Sequence, residues 1–561
     1  MLLISLSTFS LVTPWIIRTL MLGFILSGLI YAYRHVFFKR TNPWHKWASC
    51  SLVEKLLALY LCTILSVTAF NAIFFPPSNW DSMAYHMSRV AFWFQNHSVF
   101  PYITNEPRQN QMTPGAEFLI LIEQLIWKSD QWANSIQLTA FLTIGLGVWG
   151  WFSAWGLSRL NRLALLAVFF AAPMLILQAQ TTQNDLAASV PTLVIVLAVV
   201  DHFLNHTRNV SANCSSYIIF GIPIAISAGY MIKPTSLLVS APFLLAITPA
   251  YILTVARDFR CFLIGITSLL IAALTAIPEI TVKLIKYDHL FNERLTIPNL
   301  SNPREQFFNS VRHLADHVPQ EISLPAINFF AKVLQVNADI LTRSDLVFSR
   351  KSNEDYVGNP VQFIATLIFL GPLLLKSGRK RLYLMGISLL GAWILFHAVV
   401  KNQEWTSRLQ TPWFVAALVV WGLAISLNSD LFNKKHIRRL CIAIAFLSLT
   451  MSFYILQNMT AQRLYQSEGT ILLSESQWFK GYYLRRPRVT LNLDNLKQKI
   501  NECDVIYIRS RKNQYDYPIA WEAIKLGKRV EHDVGNLEQA HKSCTVVPSI
   551  PSKAPLGKST F

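Results

Sequence analysis

Charge is scarce in this chain, and acid scarcer than base. Of 561 residues only 14% are Asp, Glu, Lys or Arg, while 52% are hydrophobic and mean hydropathy is +0.35. That balance excludes an ordinary water-soluble multidomain protein. The seven cysteines are scattered, with no CxxC pair, so neither a zinc site nor a disulfide framework is indicated. There is no Gly-rich phosphate loop and no internal repeat, which argues against an ATP-driven pump. The N-terminal stretch has no basic leader and no clear cleavage site, so residues 10–33 read as a retained transmembrane helix rather than a signal peptide.

What the chain has instead is long apolar runs. The expected fold class is an all-α polytopic membrane protein of about twelve spans, with a small α/β domain at the C-terminus. The runs are 10–33, 52–75, 135–155, 163–180, 184–204, 217–232, 235–255, 261–282, 359–376, 382–400, 411–428 and 439–457, each near the length that crosses a hydrocarbon core. The formal net charge of +19 belongs to topology. Arg34, Lys39, Arg40, Arg159, Arg162, Arg208, Arg257, Arg260, Lys376, Arg379, Lys380, Lys434 and Lys435 sit in alternate loops, as the positive-inside rule requires of cytoplasmic ones. A membrane partner, and no nucleic acid, follows. The intervening segments then face the other side, which in a bacterium is the periplasm.

Two insertions on that far side are long. The 76–134 segment contains NWDSMAYHMSRVAFWFQNHSVFPYITNEPRQNQMTPGAE, and the 283–358 segment carries amphipathic patterns at 303–318 and 327–340. Long ordered loops tend to be functional. From Trp80 the spacing is helical, which puts Asp81, Tyr85 and Arg89 on one face. Beyond Leu456 the chain turns polar, with helices expected at 494–503 and 519–526 and strands at 505–508 and 545–547. Its Cys503 and Cys544 suit a disulfide in an oxidising compartment, and two buried free thiols are the alternative.

Ionisable residues at a membrane edge are costly unless they serve a purpose. Asp81, Asp185, Lys233 and Arg408 each stand at a turn of the non-cytoplasmic face, so two acids and two bases converge on one level. Each also has a structural reading: an Asp opening a helix is commonly an N-cap, and Lys and Arg at span ends snorkel. Taken together they suit transfer of a group from a lipid phosphate. A carboxylate activates the acceptor, and fixed cations receive the leaving phosphate. Tyr85, His86, Arg89, Arg108, Gln109 and Glu117 of the first loop, and Glu354 and Asp355 closing the second, are the further candidates for substrate binding.

The motifs NWDSMAYHMSRV, RQNQMTPGAEF and TQNDLAAS resemble the bacterial GT-C glycosyltransferases of family 39 and the dolichyl-phosphate-mannose protein mannosyltransferase type, with lipid A aminoarabinose transferases more distant. The resemblance covers roughly residues 50–460. It implies a GT-C transmembrane domain at 51–460; hydropathy and composition set off from it an extra N-terminal unit at 1–50 and a small soluble periplasmic domain with a disordered tail at 461–561. It also implies an integral-membrane enzyme of the bacterial inner membrane, its site facing the periplasm. Such an enzyme transfers a sugar, with inversion, from a polyprenyl-phosphate donor to an envelope glycan, lipid or protein. Asp81 then matches the catalytic carboxylate and Asp185 a second acid, while Lys233 and Arg408 occupy phosphate-binding places. Asp81 is followed by Ser82, where protein mannosyltransferases commonly carry an Asp-Glu pair, and this bears on protein as acceptor. The resemblance makes no cofactor certain. A divalent cation, Mg or Mn, is compatible with the chemistry, although two acids fall short of the several oxygen ligands hard cations take. A transporter or flippase of lipid-linked sugars is the alternative, which would favour midplane charges and repeats.

Overall fold

The computed structural model describes residues 2–7, 10–21, 48–205, 215–256, 259–287, 302–318, 320–336, 357–375, 380–403, 405–427, 435–457, 473–483, 492–510, 514–533 and 543–548. Glu354 and Asp355 lie outside the described residues, as do many of the basic loop positions. Of the expected span at 10–33, only 10–21 is described, and it is helical over 14–21.

Five described helices are long and apolar enough to cross a membrane: Leu52–Phe74, Ser135–Ala154, Asp185–Leu204, Thr235–Val255 and Phe259–Lys286. Shorter apolar helices over Ile218–Ile232, Pro360–Gly371, Tyr383–Val399, Thr411–Leu427 and Cys441–Phe453 pack with them. The chain is thus an integral membrane protein built as a helical bundle. Local chemistry sets the ends of the first span. Ser51 and Glu54 form a reciprocal capping box at its start, which satisfies two orphan amides. Phe75 is extended at its end, because a proline follows it.

The run at 163–180 is not one helix, as its hydropathy suggests. It breaks into Arg159–Phe170 and Pro173–Gln178, with Ala172 extended before Pro173. Proline disfavours helical backbone in the residue before it and has no N–H to continue the ladder.

Burial sorts the helices by neighbour. Thr411 to Ile425 are buried on every side, so that helix is the centre of the bundle. The Phe259–Tyr287 helix instead leaves Phe262, Leu269, Leu270 and Ile285 exposed, an apolar surface that suits lipid.

The odd and even crossings bring the 75–134 loop, the 181–185 turn, Lys233 and the 400–411 turn to one end of the bundle, called the loop face below. Two amphipathic helices, Pro303–Ala315 and Gln320–Leu334, also belong there. The C-terminal segment forms a parallel sheet of order β2-β1-β3, with β1 at Val505–Ile508, β2 at Arg529–His532 and β3 at Thr545–Val546. The helix Tyr517–Lys525 makes the crossover between β1 and β2. Strand β2 escapes sequence reading because Arg-Val-Glu-His carries three polar residues in four. Cys503 and Cys544 are joined in a disulfide that ties the chain just before β1 to the chain just before β3.

This sheet shares a single apolar core with the first loop and the N-terminal residues: Val12 and Ile17, Met87, Val90 and Leu121, and Ile506, Trp521 and Val530 belong to it together. Polar contacts fix the docking. Gln95 accepts from the Val530 amide at 2.7 Å and donates to its carbonyl at 3.0 Å, which closes an edge strand that would otherwise be open to pairing. Asp130 accepts from Tyr482, Tyr517 (2.9 Å) and Trp478 (3.2 Å).

Candidate active site at the loop face

Asp81 is not the N-cap its position suggests. Its carboxylate makes no capping bond. The neighbouring Asn79 takes that role, its Oδ1 accepting from the Ser82 amide at 2.7 Å. The Asp81 oxygens go to two guanidinium groups instead, Arg108 Nη1 at 3.2 Å and Arg408 Nη2 at 2.7 Å. Burial raises the Asp81 pKa, but the charges of Arg408 and Arg108 outweigh it and hold the carboxyl well below the usual range. Asp81 is therefore a charged, clamped carboxylate.

A π-helical turn over Ser82–His86 follows directly. The wider turn breaks the expected i, i+4, i+8 face, and such turns recur at functional sites. Tyr85 stays near Asp81, with the Arg108 guanidinium 4.6 Å from its ring centre. Arg89 does not. Its fork donates to the carbonyls of Gln109, Arg108 (3.0 Å) and Met112 (2.8 Å), and so holds the 108–112 segment in place. His86 pairs with Glu117 at 2.7 Å, and Arg89 lies 3.5 Å from the same carboxylate. Burial raises the Glu117 pKa, and Arg89 and His86 bring it below the usual value, so it stays ionised.

Asp185 is likewise committed to an ion pair, with Lys233 Nζ at 2.5 Å. Burial lowers the Lys233 pKa, which Asp185 opposes, and the charges of Arg408 and Asp81 also reach it. The two ion pairs are one electrostatic cluster. Close approach brings the turns together: Thr113 Oγ1 and Asn184 Nδ2 both donate to the Ile232 carbonyl, at 3.0 and 3.2 Å. The Ser82 hydroxyl bonds that of Thr182. At Gly115 a Cβ would stand 2.7 Å from the Met231 carbonyl oxygen, so a glycine is needed where loop and span meet.

Sequence reading missed several of these residues. Glu106 holds Arg108 by a two-pronged pair, Nε to Oε1 at 2.8 Å and Nη2 to Oε2 at 3.0 Å. The Glu-Pro-Arg spacing was the available signal. Asp516 was invisible because it comes from the distant tail: it accepts from Gln109 Nε2 at 3.3 Å. Gln109 also donates to Ala84 and accepts from Tyr102 and Thr104, so it joins the tail to the backbone beneath Asp81.

Burial, with Glu106 adding to it, pushes the Asp516 carboxyl up to about 8, while burial lowers His532, 4.0 Å away, to about 4. Both groups are neutral at pH 7. A carboxyl raised on folding stabilises least when pH exceeds its folded pKa. Between pH 6.5 and 9 the docked tail is therefore expected to lose thermal stability as pH rises. Asp516→Asn, which mimics the protonated acid, should flatten that slope; an unchanged slope would contradict this assignment.

The donor set does not suit a hard cation. Both Asp81 oxygens face guanidinium groups, Asp185 faces an ammonium, and among the described residues no group of three or more His, Cys, Asp and Glu is placed to hold a metal ion. The acids Asp81, Glu106, Glu117 and Asp185 are matched by the bases Arg89, Arg108, Lys233 and Arg408.

Fold and site together define an integral membrane protein with a buried, charge-balanced cluster at one face of a helical bundle. No protein-family model matches the chain, and no curated protein does. Among solved structures, the crystal structure of ArnT from Cupriavidus metallidurans bound to undecaprenyl phosphate is similar at 13% identity and a TM-score of 0.45, over 85% of this chain and 86% of that one.

Proposed function

We propose that this chain is a GT-C-type glycosyltransferase that moves a sugar from a polyprenyl-phosphate donor to a cell-envelope acceptor, at the periplasmic face of a bacterial inner membrane. The observation that carries the reading is the clamp on Asp81. A carboxylate between two guanidinium forks, with an ammonium in the same cluster, offers one base and three cations where a lipid headgroup would arrive.

The chemistry balances as follows. The acceptor hydroxyl gives its proton to Asp81 as its oxygen bonds the anomeric carbon. The carbon–oxygen bond to phosphate breaks, and its electron pair stays on the phosphate. A singly charged phosphodiester thereby becomes a phosphomonoester with more negative charge, which Arg408, Arg108 and Lys233 stabilise. Attack opposite the leaving group inverts the centre. In the resting site Asp81 is a weak base, and a phosphate that draws Arg408 or Arg108 toward itself returns basicity to it. Asp185 supports the reaction by setting Lys233. The disulfide of the tail suits an oxidising compartment, which agrees with the orientation read from the basic loops. The charges gather at one face rather than at the midplane, which favours transfer over transport.

Mass spectrometry of envelope lipids and glycans from a deletion strain tests this reading. It should show one sugar missing from its acceptor and restored by the wild-type gene. An unchanged set of glycans would refute it.

A further inference from the structure

Two residues beyond Arg408, Gln410 sits at the centre of three imidazoles. Its Oε1 bonds His317 Nε2, and its Nε2 faces His313 Nδ1 at 3.1 Å and His397 Nε2 at 3.4 Å. The rings come from different elements. His313 belongs to the outer helix Pro303–Ala315, His317 follows it, and His397 ends the Lys380–Val399 helix. The rings of His313 and His397 stack at 4.1 Å.

Hydrogen bonds place the protons of His317 and His313, and His397 takes the tautomer that Gln410 leaves it. The Asn359 amide donates to His317 Nδ1 at 3.1 Å, so the His317 proton is on Nε2 and is given to the Gln410 carbonyl oxygen. The Gln410 amide nitrogen must then face the other two rings and donate one N–H to each. His313 keeps its proton on Nε2, 2.9 Å from the Val400 carbonyl, and His397 keeps its own on Nδ1. All three rings are neutral, so none adds positive charge next to Arg408. The ionisable groups nearby are Arg312 and Asp316 on the outer helix and its end; Asp316, whose carboxyl burial pushes well above the usual range, accepts from Asn402 at 2.9 Å.

The same helix holds the turn that carries the arginine. Asn309 donates to the carbonyls of His397 (2.7 Å) and Val400 (3.0 Å) and accepts from the Asn402 amide at 2.7 Å. Thr411 Oγ1 donates to the Arg408 carbonyl at 2.7 Å. Between these anchors, Gln410 is the one whose side chain reaches all three histidines.

We propose that Gln410 is a positioning residue: seated by His313, His317 and His397, it fixes the turn that aims Arg408 at the donor phosphate, and through it the second outer segment controls donor affinity. The inference rests on the glycosyltransferase reading, because it gives Arg408 a phosphate to bind.

The test uses the full chain in lipid nanodiscs with a short prenyl monophosphate as probe. Gln410→Met keeps the volume and removes all three bonds. It should weaken probe binding ~10-fold, as should Arg408→Ala, and the double variant should bind no worse than Arg408→Ala alone, since residues acting as one unit are not additive. In turnover, Gln410→Met should raise donor KM and leave kcat nearly unchanged. Gln410→Glu supplies a second check should the Met variant fail to fold. Its carboxylate demands donors from His313 and His397; His397 supplies one by moving its proton from Nδ1 to Nε2, but His313, whose Nε2–H serves the Val400 carbonyl, must protonate, so the binding deficit relative to wild type should shrink as pH falls from 8 to 6. Wild-type affinity in a folded Gln410→Met protein, additive losses in the double variant, or a pH-independent deficit in Gln410→Glu would overturn the proposal. If wild type itself ignores prenyl phosphate, the glycosyltransferase reading falls first.

Discussion

Asp81→Asn should leave a folded, membrane-inserted protein whose transfer activity is lower by a factor of about 10² to 10⁴, the usual worth of a positioned general base. The substitution keeps size and one acceptor oxygen, so one of the two arginines keeps its bond to residue 81 while the other meets the new amide N–H₂. Arg108 also keeps Glu106. The cap at the following turn belongs to Asn79, so helix entry does not depend on the charge. What disappears is the anion that accepts the hydroxyl proton. Donor binding should hold or improve, because two guanidinium groups lose a competing carboxylate. Measuring prenyl-phosphate affinity and transfer on the same purified variant separates these effects. Near-normal transfer by Asp81→Asn at normal expression would refute the assignment of Asp81 as base.

The four charges at span ends were legible in the sequence because membrane topology is. Apolar runs fix which turns share a face, and Asp81, Asp185, Lys233 and Arg408 meet there as expected. Side-chain facing within the loop was less legible. A helical repeat placed Arg89 beside Asp81, yet the π-helical turn over Ser82–His86 swings it onto the carbonyls of 108–112, and nothing in SMAYH announces an extra residue per turn. Proline was readable but was outweighed by hydropathy at Pro173, where one expected span became two helices. Gln410 and Asp516 were out of reach for another reason. Each acts through a partner fixed by tertiary packing, and Asp516 lies more than 400 residues from the Gln109 it meets.

The docked tail changes how the loop face is held. A long loop pays a large conformational entropy to stay ordered, and the 76–134 segment meets that cost by sharing its core with β1, β2 and the N-terminal residues. Gln109 then transmits the position of the tail to the backbone under Asp81. The second outer segment does the same for Arg408 through Gln410. Two peripheral units therefore reach the clamp through different residues, the tail through Gln109 beside the turn of Asp81 and the second outer segment through Gln410 beside Arg408.

The Asp185–Lys233 pair should show the largest effect on stability. Asp185 is fully buried, and Lys233 is 16% exposed. Lys233→Met would strand a fully buried carboxylate, and removing one partner of a buried pair costs about 3–5 kcal/mol. The single variant should express poorly or melt much earlier than wild type. Adding Asp185→Asn removes the stranded charge, and the double variant should recover most of the melting temperature, since neutral replacement of a buried pair is often tolerated. Activity should not recover with it. The ammonium would still be missing from the cluster that receives the leaving phosphate, so donor KM should stay high in a protein that is again stable. A thermal melt and a donor titration on the two variants distinguish the roles. A double variant that regained both stability and donor affinity would make the pair purely structural, leaving Arg108 and Arg408 as the phosphate's cations.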